Sequence, residues 1–211
     1  MAGLFLIELR RKAVHAAGSI FAFAYYFTDR ETAIIGLAII NAVLIIVEWQ
    51  RLKGNIRLPE ILLRPHEKEQ VGAYIYFQVA SLISIIFFEK TIAIAAILML
   101  SLGDTASGLS GALLNEGNVR HSRKKFTIKP LPIVSGMFAV CVLIGFIMVR
   151  LPLAHDMKYI SFLSYVAGAL GATLGDAVPI RVQGKPIDDN LLIPLLSGIF
   201  MTIANMLLSS P

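Results

Sequence analysis

The chain has 211 residues, 56% of them apolar and only 16% charged, with a mean hydropathy of +0.74 and a formal net charge of +5. Soluble domains carry roughly 45–50% apolar and about 25% charged residues, so a water-soluble globular fold is excluded and an all-α, polytopic membrane protein is expected. Residues 1–211 read as a single integral membrane domain, because apolar blocks of about the ~20 residues that cross ~30 Å of hydrocarbon take up nearly all of the sequence.

In chain order, the opening MAGLFLIELRRK puts its acid and bases after a short apolar patch with no basic segment before it, so a secretory signal is not expected. Hydropathy then predicts seven helices: about Ala13 to Phe27, Thr32 to Trp49, Val71 to Phe88, Thr91 to Leu114, Leu131 to Val149, Tyr159 to Asp176 and Leu191 to Ser209. With a cytoplasmic N-terminus, 15 of the 19 lysines and arginines fall on that side, at Arg10, Arg11, Lys12, Arg51, Lys53, Arg57, Arg64, Lys68, within Arg120 to Lys129, and at Arg181 and Lys185. Only Arg30, Lys90, Arg150 and Lys158 fall opposite, which is the positive-inside distribution. The basic loops also suit anionic lipid headgroups and give no reason to expect nucleic acid as a partner. Cys141, the one cysteine, sits in an apolar block, so no internal disulfide and no thiolate metal site are expected.

The acidic and polar residues fall on the same side. Glu8, Arg11, Lys12 and His15 recur at i, i+3, i+4 and i+7, one face of a helix. His66 and Glu67 come after Pro65 in a polar loop. The run LMLSLGDTASGLSGALL then places Asp104 inside a spanning helix, at a cost of about 3 kcal/mol on insertion scales, and such acids usually face a cavity, a partner or a ligand. Gly103, Gly108 and Gly111, with Thr105, Ala106, Ser107 and Ser110, give that helix a face without bulk, suited to close helix packing or to the approach of phosphate oxygens. A second Leu-Gly-Asp ends at Asp176 after Gly168, Gly171 and Gly175, and PIDDNLLIP puts Asp188 and Asp189 directly before the last helix, where Asn190 or Asp189 is a candidate N-cap. Four carboxylates without a cysteine or histidine cluster suit a hard cation such as Mg²⁺. Magnesium ordinarily accompanies nucleotide phosphates, yet neither GxxxxGK[ST] nor GxGxxG occurs, so any nucleotide chemistry has to be built on membrane helices.

Four segments, ELRRKAVH, RPHEKEQVGAYIYF, GDTASGLSG and GKPIDDNLLIPLLSG, together resemble the CTP-dependent lipid kinase family of dolichol kinase, phytol kinase and fungal-type diacylglycerol kinase, over nearly the whole chain. The resemblance implies transfer of the γ-phosphate of CTP to the hydroxyl of a membrane isoprenoid alcohol (dolichol, polyprenol or geranylgeraniol-like), with Mg²⁺, at the cytoplasmic face of a cell or endoplasmic reticulum membrane. Asp104, Asp188 and Asn190 stand at the family's signature acids and amide, and Lys129 at its lysine. The implied roles are Mg²⁺ on Asp104 with Asp188 or Asp189, and the triphosphate against Arg11, Lys12, Gly103, Ser107, Gly111, Lys124, Lys125, Lys129 and Asn190. Asp176 or His15 would accept the alcohol proton. The chain departs from the family where KPLPIVSG replaces a Lys followed by Thr, Glu and Gly, and where Asp176 replaces a glutamate. Two other classes fit parts of the pattern. A CDP-lipid synthase would use the same nucleotide and metal but attach the α-phosphate. An ion-coupled transporter would use intramembrane acids, although here they crowd one face. No oligomeric state is specified by the pattern.

Overall fold

The computed structural model describes residues 2–59, 63, 67, 69–114, 128–183 and 185–209, with side chains from Leu9 onward and without that of Lys185. Its helices are α1 (Ala2–Ala17), α2 (Ser19–Phe27), α3 (Arg30–Leu52), α4 (Ala73–Phe87), α5 (Lys90–Leu98), α6 (Asp104–Leu114), α7 (Leu131–Arg150), α8 (Phe162–Ala177) and α9 (Asp189–Leu208). A π-helical turn, Met99–Gly103, joins α5 to α6 without a break. Two two-residue strands, β1 (Arg181–Val182) and β2 (Lys185–Pro186), pair antiparallel with Arg181 opposite Pro186.

Each apolar block of the sequence lies on helix, with shifted ends. The first block continues back to Ala2 and bends at Gly18, where a Cβ would collide with the Phe77 ring. Among the described residues four helices are long and apolar enough to cross a membrane, Arg30–Leu52, Lys90–Leu114, Leu131–Arg150 and Asp189–Leu208, and Ala73–Phe87 is a shorter apolar helix. Starts are set by local chemistry: Asp29 accepts from the Thr32 amide at 2.8 Å, Ser161 caps α8 through the Ser164 amide, and Asp188 caps α9.

The core is built around α5, whose residues from Lys90 to Ile97 are all buried. A helix that is apolar on every side has no face to give to solvent, so it takes the centre. By contrast α3 buries only Leu37, Asn41, Glu48 and Arg51, and turns Ile35, Ile39, Val43 and Ile46 outward. A continuous apolar face of that kind suits hydrocarbon rather than water. At one end, Lys90 is buried with its ammonium donating to the Thr28 and His155 carbonyls, both at 2.7 Å, which ties two loops to the first turn of α5.

The closest helix packing is between α8 and α9. A Cβ on Gly175 would stand 3.0 Å from the Ile193 amide nitrogen, and one on Gly171 would press on the Leu196 carbonyl, so backbone meets backbone. This contact brings the C-terminal end of α8, with Asp176, against the N-terminal end of α9, with Asp189. Gly171→Ala is expected to destabilise the fold by about 1–3 kcal/mol through overpacking. Gly36→Ala in α3, where nothing lies within 4 Å of the new methyl, is expected to be neutral or to stabilise by up to about 1 kcal/mol. Thermal unfolding of the two variants in detergent measures the difference.

Candidate functional site

Carboxylate oxygens of Asp104, Asp176 and Asp189 lie within 4.8 Å of one another, supplied by α6, α8 and α9. Asp104 is 2% exposed and Asp176 6%, while Asp189 is half-buried. Charges this close and this dry repel strongly unless neutralised, since Coulomb energy at 4 Å rises from about 1 kcal/mol in water to about 4 kcal/mol at an effective dielectric of 20. Two lysines supply the neutralisation.

Lys12, from α1, donates to Asp104 Oδ2 at 2.6 Å and to the Asp104 carbonyl at 2.9 Å. Its stem crosses α6 at Gly108, where any Cβ would overlap Lys12 Cε. Lys129, just before α7, pairs with Asp176 Oδ1 and reaches Ser107 Oγ at 3.3 Å, and its own amide donates to the Ala177 carbonyl at 3.3 Å. Burial works against the Lys129 charge, but Asp176, then Asp189 and Asp104, more than offset it and hold its pKa above the usual lysine value. The Ser107 hydroxyl donates to Asp176 Oδ2 at 2.7 Å. Asp176 sits at the C-terminal end of its helix, the end that disfavours an acid by roughly 0.3–1 kcal/mol, so these donors also offset the helix dipole. Asp189 stands in the first turn of α9, where the dipole favours it.

His15 and Asn190 close the site. His15 Nε2 lies 2.8 Å from Asp104 Oδ2 and 2.7 Å from Asn190 Oδ1, while Asn190 Nδ2 donates to Asp188 Oδ1 at 2.6 Å. With two acceptors on Nε2, that nitrogen carries the proton. His15 Nδ1 is buried and has no hydrogen-bond partner among the described residues. The ring is held edge-on by Phe77, 5.0 Å between centroids.

Asp104 reaches this place through the π-turn. A helix advances about 100° per residue, and the wider turn over Met99–Gly103 re-aims the side chains of α6 beyond it. Gly103 lets α7 approach: a Cβ there would be 2.7 Å from Cys141 Sγ.

Of the residues expected from sequence, Lys12, His15, Asp104, Ser107, Lys129, Asp176, Asp189 and Asn190 converge. Gly103 and Gly111 face α7, at Cys141 and Ile133, rather than the carboxylates. Arg11 is half-buried on α1, near enough to His15 to act on its charge. Lys124 and Lys125 lie outside the described residues, as do Arg120, His66 and the side chain of Glu8. Sequence reasoning missed a second polar cluster: buried Glu48 accepts from Arg51 Nε at 2.6 Å, the Gly72 amide at 2.6 Å and the Tyr74 hydroxyl at 2.6 Å, fixing α3 to the start of α4. Its signal was an acid inside the apolar run LIIVEWQRL with an arginine three residues on.

A curated relative, CTP-dependent diacylglycerol kinase 1 of Eremothecium gossypii, is 27% identical over 212 residues, covering 92% of this chain and 66% of that protein. The chain thus spans just under two thirds of the length of that relative. The similarity supports the resemblance to CTP-dependent lipid kinases. No family model matches, and no solved structure matches.

The two neighbouring acids of PIDDN are placed differently. The cap expected at Asp189 or Asn190 falls on Asp188 instead, because α9 begins at Asp189 rather than Leu191: Asp188 Oδ1 accepts from the Asn190 amide at 3.0 Å, and Asp189 joins the other two carboxylates. Asp188→Ala is expected to cost about 1–2 kcal/mol and Asp188→Ser far less, because serine also caps. The midpoint of thermal unfolding in detergent reads both.

Proposed function

We propose that this chain is a membrane-embedded kinase that transfers the γ-phosphate of CTP to the hydroxyl of a membrane lipid, with Asp104, Asp176 and Asp189 as its divalent-cation site. One observation carries the reading: three carboxylates from three helices converge beside two lysines and a histidine in a chain of membrane-type helices. The relative named for CTP and diacylglycerol supports the donor and the lipid class. The donor set fits Mg²⁺, being all oxygen, with no thiolate among the three. When bound, the ion supplies charge neutralisation across the phosphates, the main requirement of phosphoryl transfer.

The protein's own residues would do the rest. Lys12 and Lys129 are cations at the carboxylates and the nearest described partners for phosphate oxygens, with Arg11 adjacent on α1. Asp176 already accepts from Ser107 and Lys129, which makes it a poor base. His15 is better suited: its Nε2–H is held by Asp104 and Asn190, so the lone pair sits on Nδ1. In the proposed step the lipid hydroxyl gives its proton to His15, whose Nδ1 is exposed to it by a turn of the ring away from Phe77, as its oxygen bonds the γ-phosphorus. The bond from that phosphorus to the bridging oxygen breaks, and CDP leaves.

The cytoplasmic N-terminus and seven spans are part of this proposal, supported by the distribution of lysine and arginine. It places the carboxylates near the inner leaflet, where a lipid hydroxyl enters laterally and a nucleotide arrives from water. The alcohol is taken to be isoprenoid from the motif resemblance, with diacylglycerol as the class that the relative's name indicates.

The test is purified protein with CTP labelled at the γ or at the α position, against dolichol, polyprenol, geranylgeraniol, phytol and diacylglycerol, and against phosphatidic acid and polyprenyl phosphate as the acceptors a cytidylyltransferase needs. Label from γ alone is expected in lipid. Incorporation of α label would make the enzyme a cytidylyltransferase. Asp104→Asn and Asp189→Asn are expected to lower γ transfer by about 100-fold or more, and His15→Gln by about 100-fold in kcat, the lower range for loss of a general base. Turnover near wild type in Asp189→Asn would remove the metal role.

A further inference from the structure

Lys129 differs from Lys12 in a way that bears on how the site is loaded. Lys12 is 2% exposed, its stem lies in the groove left by Gly108, and two of its donors are spent on one residue. Lys129 is held by its backbone, through the amide bond to Ala177, while its side chain is 32% exposed. It comes from the short stretch before α7 and reaches in between α6 and α8, at Ser107 and Asp176. Its ammonium faces the carboxylates themselves, paired to Asp176 and within electrostatic reach of Asp189 and Asp104. The backbone is fixed at Ala177, and the ammonium is carried to the carboxylates on a partly exposed stem.

We propose that Lys129 is an exchangeable counterion: in the nucleotide-free protein its ammonium stands in for the divalent cation between the carboxylates, and it moves onto the nucleotide phosphates when metal and CTP arrive together. The inference rests on reading Asp104, Asp176 and Asp189 as the metal site. Its physical basis is charge. Three buried carboxylates cannot be left with too few cations, so a resident lysine keeps the empty site foldable. The same lysine competes with a metal that arrives alone, since two cations cannot share the space between the same oxygens. A triphosphate changes the balance by offering the ammonium new acceptors on a flexible four-carbon stem. Metal and nucleotide then bind with positive coupling, each raising the affinity of the other by the same factor. A site of this kind stays closed to bulk Mg²⁺ until the substrate is present.

The test is binding of Mn²⁺ to the full chain in detergent, read from the loss of the free-ion electron paramagnetic resonance signal, with and without CDP as a non-reacting nucleotide. Wild type is expected to bind Mn²⁺ weakly alone and at least tenfold more tightly with CDP. Lys129→Met and Lys129→Gln are each expected to bind Mn²⁺ alone at least tenfold more tightly than wild type and to lose most of the response to CDP. The glutamine keeps a donor for Asp176, which covers the case in which the methionine variant fails to fold. Lys129→Arg keeps the charge and should behave as wild type. Equal or weaker Mn²⁺ binding in both neutral variants, with binding still abolished in Asp189→Asn, would overturn the counterion and leave the metal site standing. Mn²⁺ binding unaffected by both Asp104→Asn and Asp189→Asn would overturn the metal site, and the counterion with it.

Discussion

Three carboxylates whose oxygens lie within 4.8 Å of one another, inside a bundle of apolar helices, repel across a medium that screens poorly. Every element that ends at the site offsets that repulsion. Lys12 is laid across Gly108 to reach Asp104, Lys129 is tied by its backbone to the end of α8 to reach Asp176, and Asp189 is placed in the favourable first turn of α9. Removing any one cation leaves a buried charge uncompensated, which typically costs about 3–5 kcal/mol. The cluster therefore constrains the fold around it.

The helix packing serves the same convergence. Gly171 and Gly175 let α8 and α9 touch backbone to backbone, so that an acid at the end of one helix stands beside an acid at the start of the next. Gly103 allows α7 to close on the π-turn, and Gly136 brings α7 against Ser110 of α6. Most of the glycines near the site thus act on helix spacing, and the small-residue face of α6 is divided between α7 and the stem of Lys12. The Glu48–Arg51–Tyr74 cluster braces α3 against α4, which otherwise have little but apolar side chains to hold them.

Much of this was legible beforehand. Hydropathy blocks located the helices, because apolar length is a direct reading of what a helix can bury. The acids stood out because a carboxylate inside LMLSLGDTASGLSGALL needs a partner, and the structure brings Asp104, Asp176 and Asp189 together. Four features were not legible, for physical reasons. A π-turn leaves no compositional mark, since Met99–Gly103 reads like any apolar helix. Of Asp188 and Asp189, the one that caps and the one that joins the triad are fixed by helix phase, which spacing alone does not give. Lys12 looked like a phosphate ligand from its charge, while its present partner is Asp104, 92 residues away. Arg51 looked like a topology signal, yet it is buried against Glu48.

The two ends of the bundle handle a buried ammonium differently. At one end Lys12 and Lys129 face ionised oxygens, while at the other Lys90 is satisfied by two neutral carbonyls and the face of Tyr25. Peptide oxygens do not titrate, so the Lys90 anchorage is unaffected by carboxylate protonation. The molecule is chemically polarised along its axis, with an ammonium moored to uncharged backbone at one pole and two ammoniums matched to carboxylates at the other.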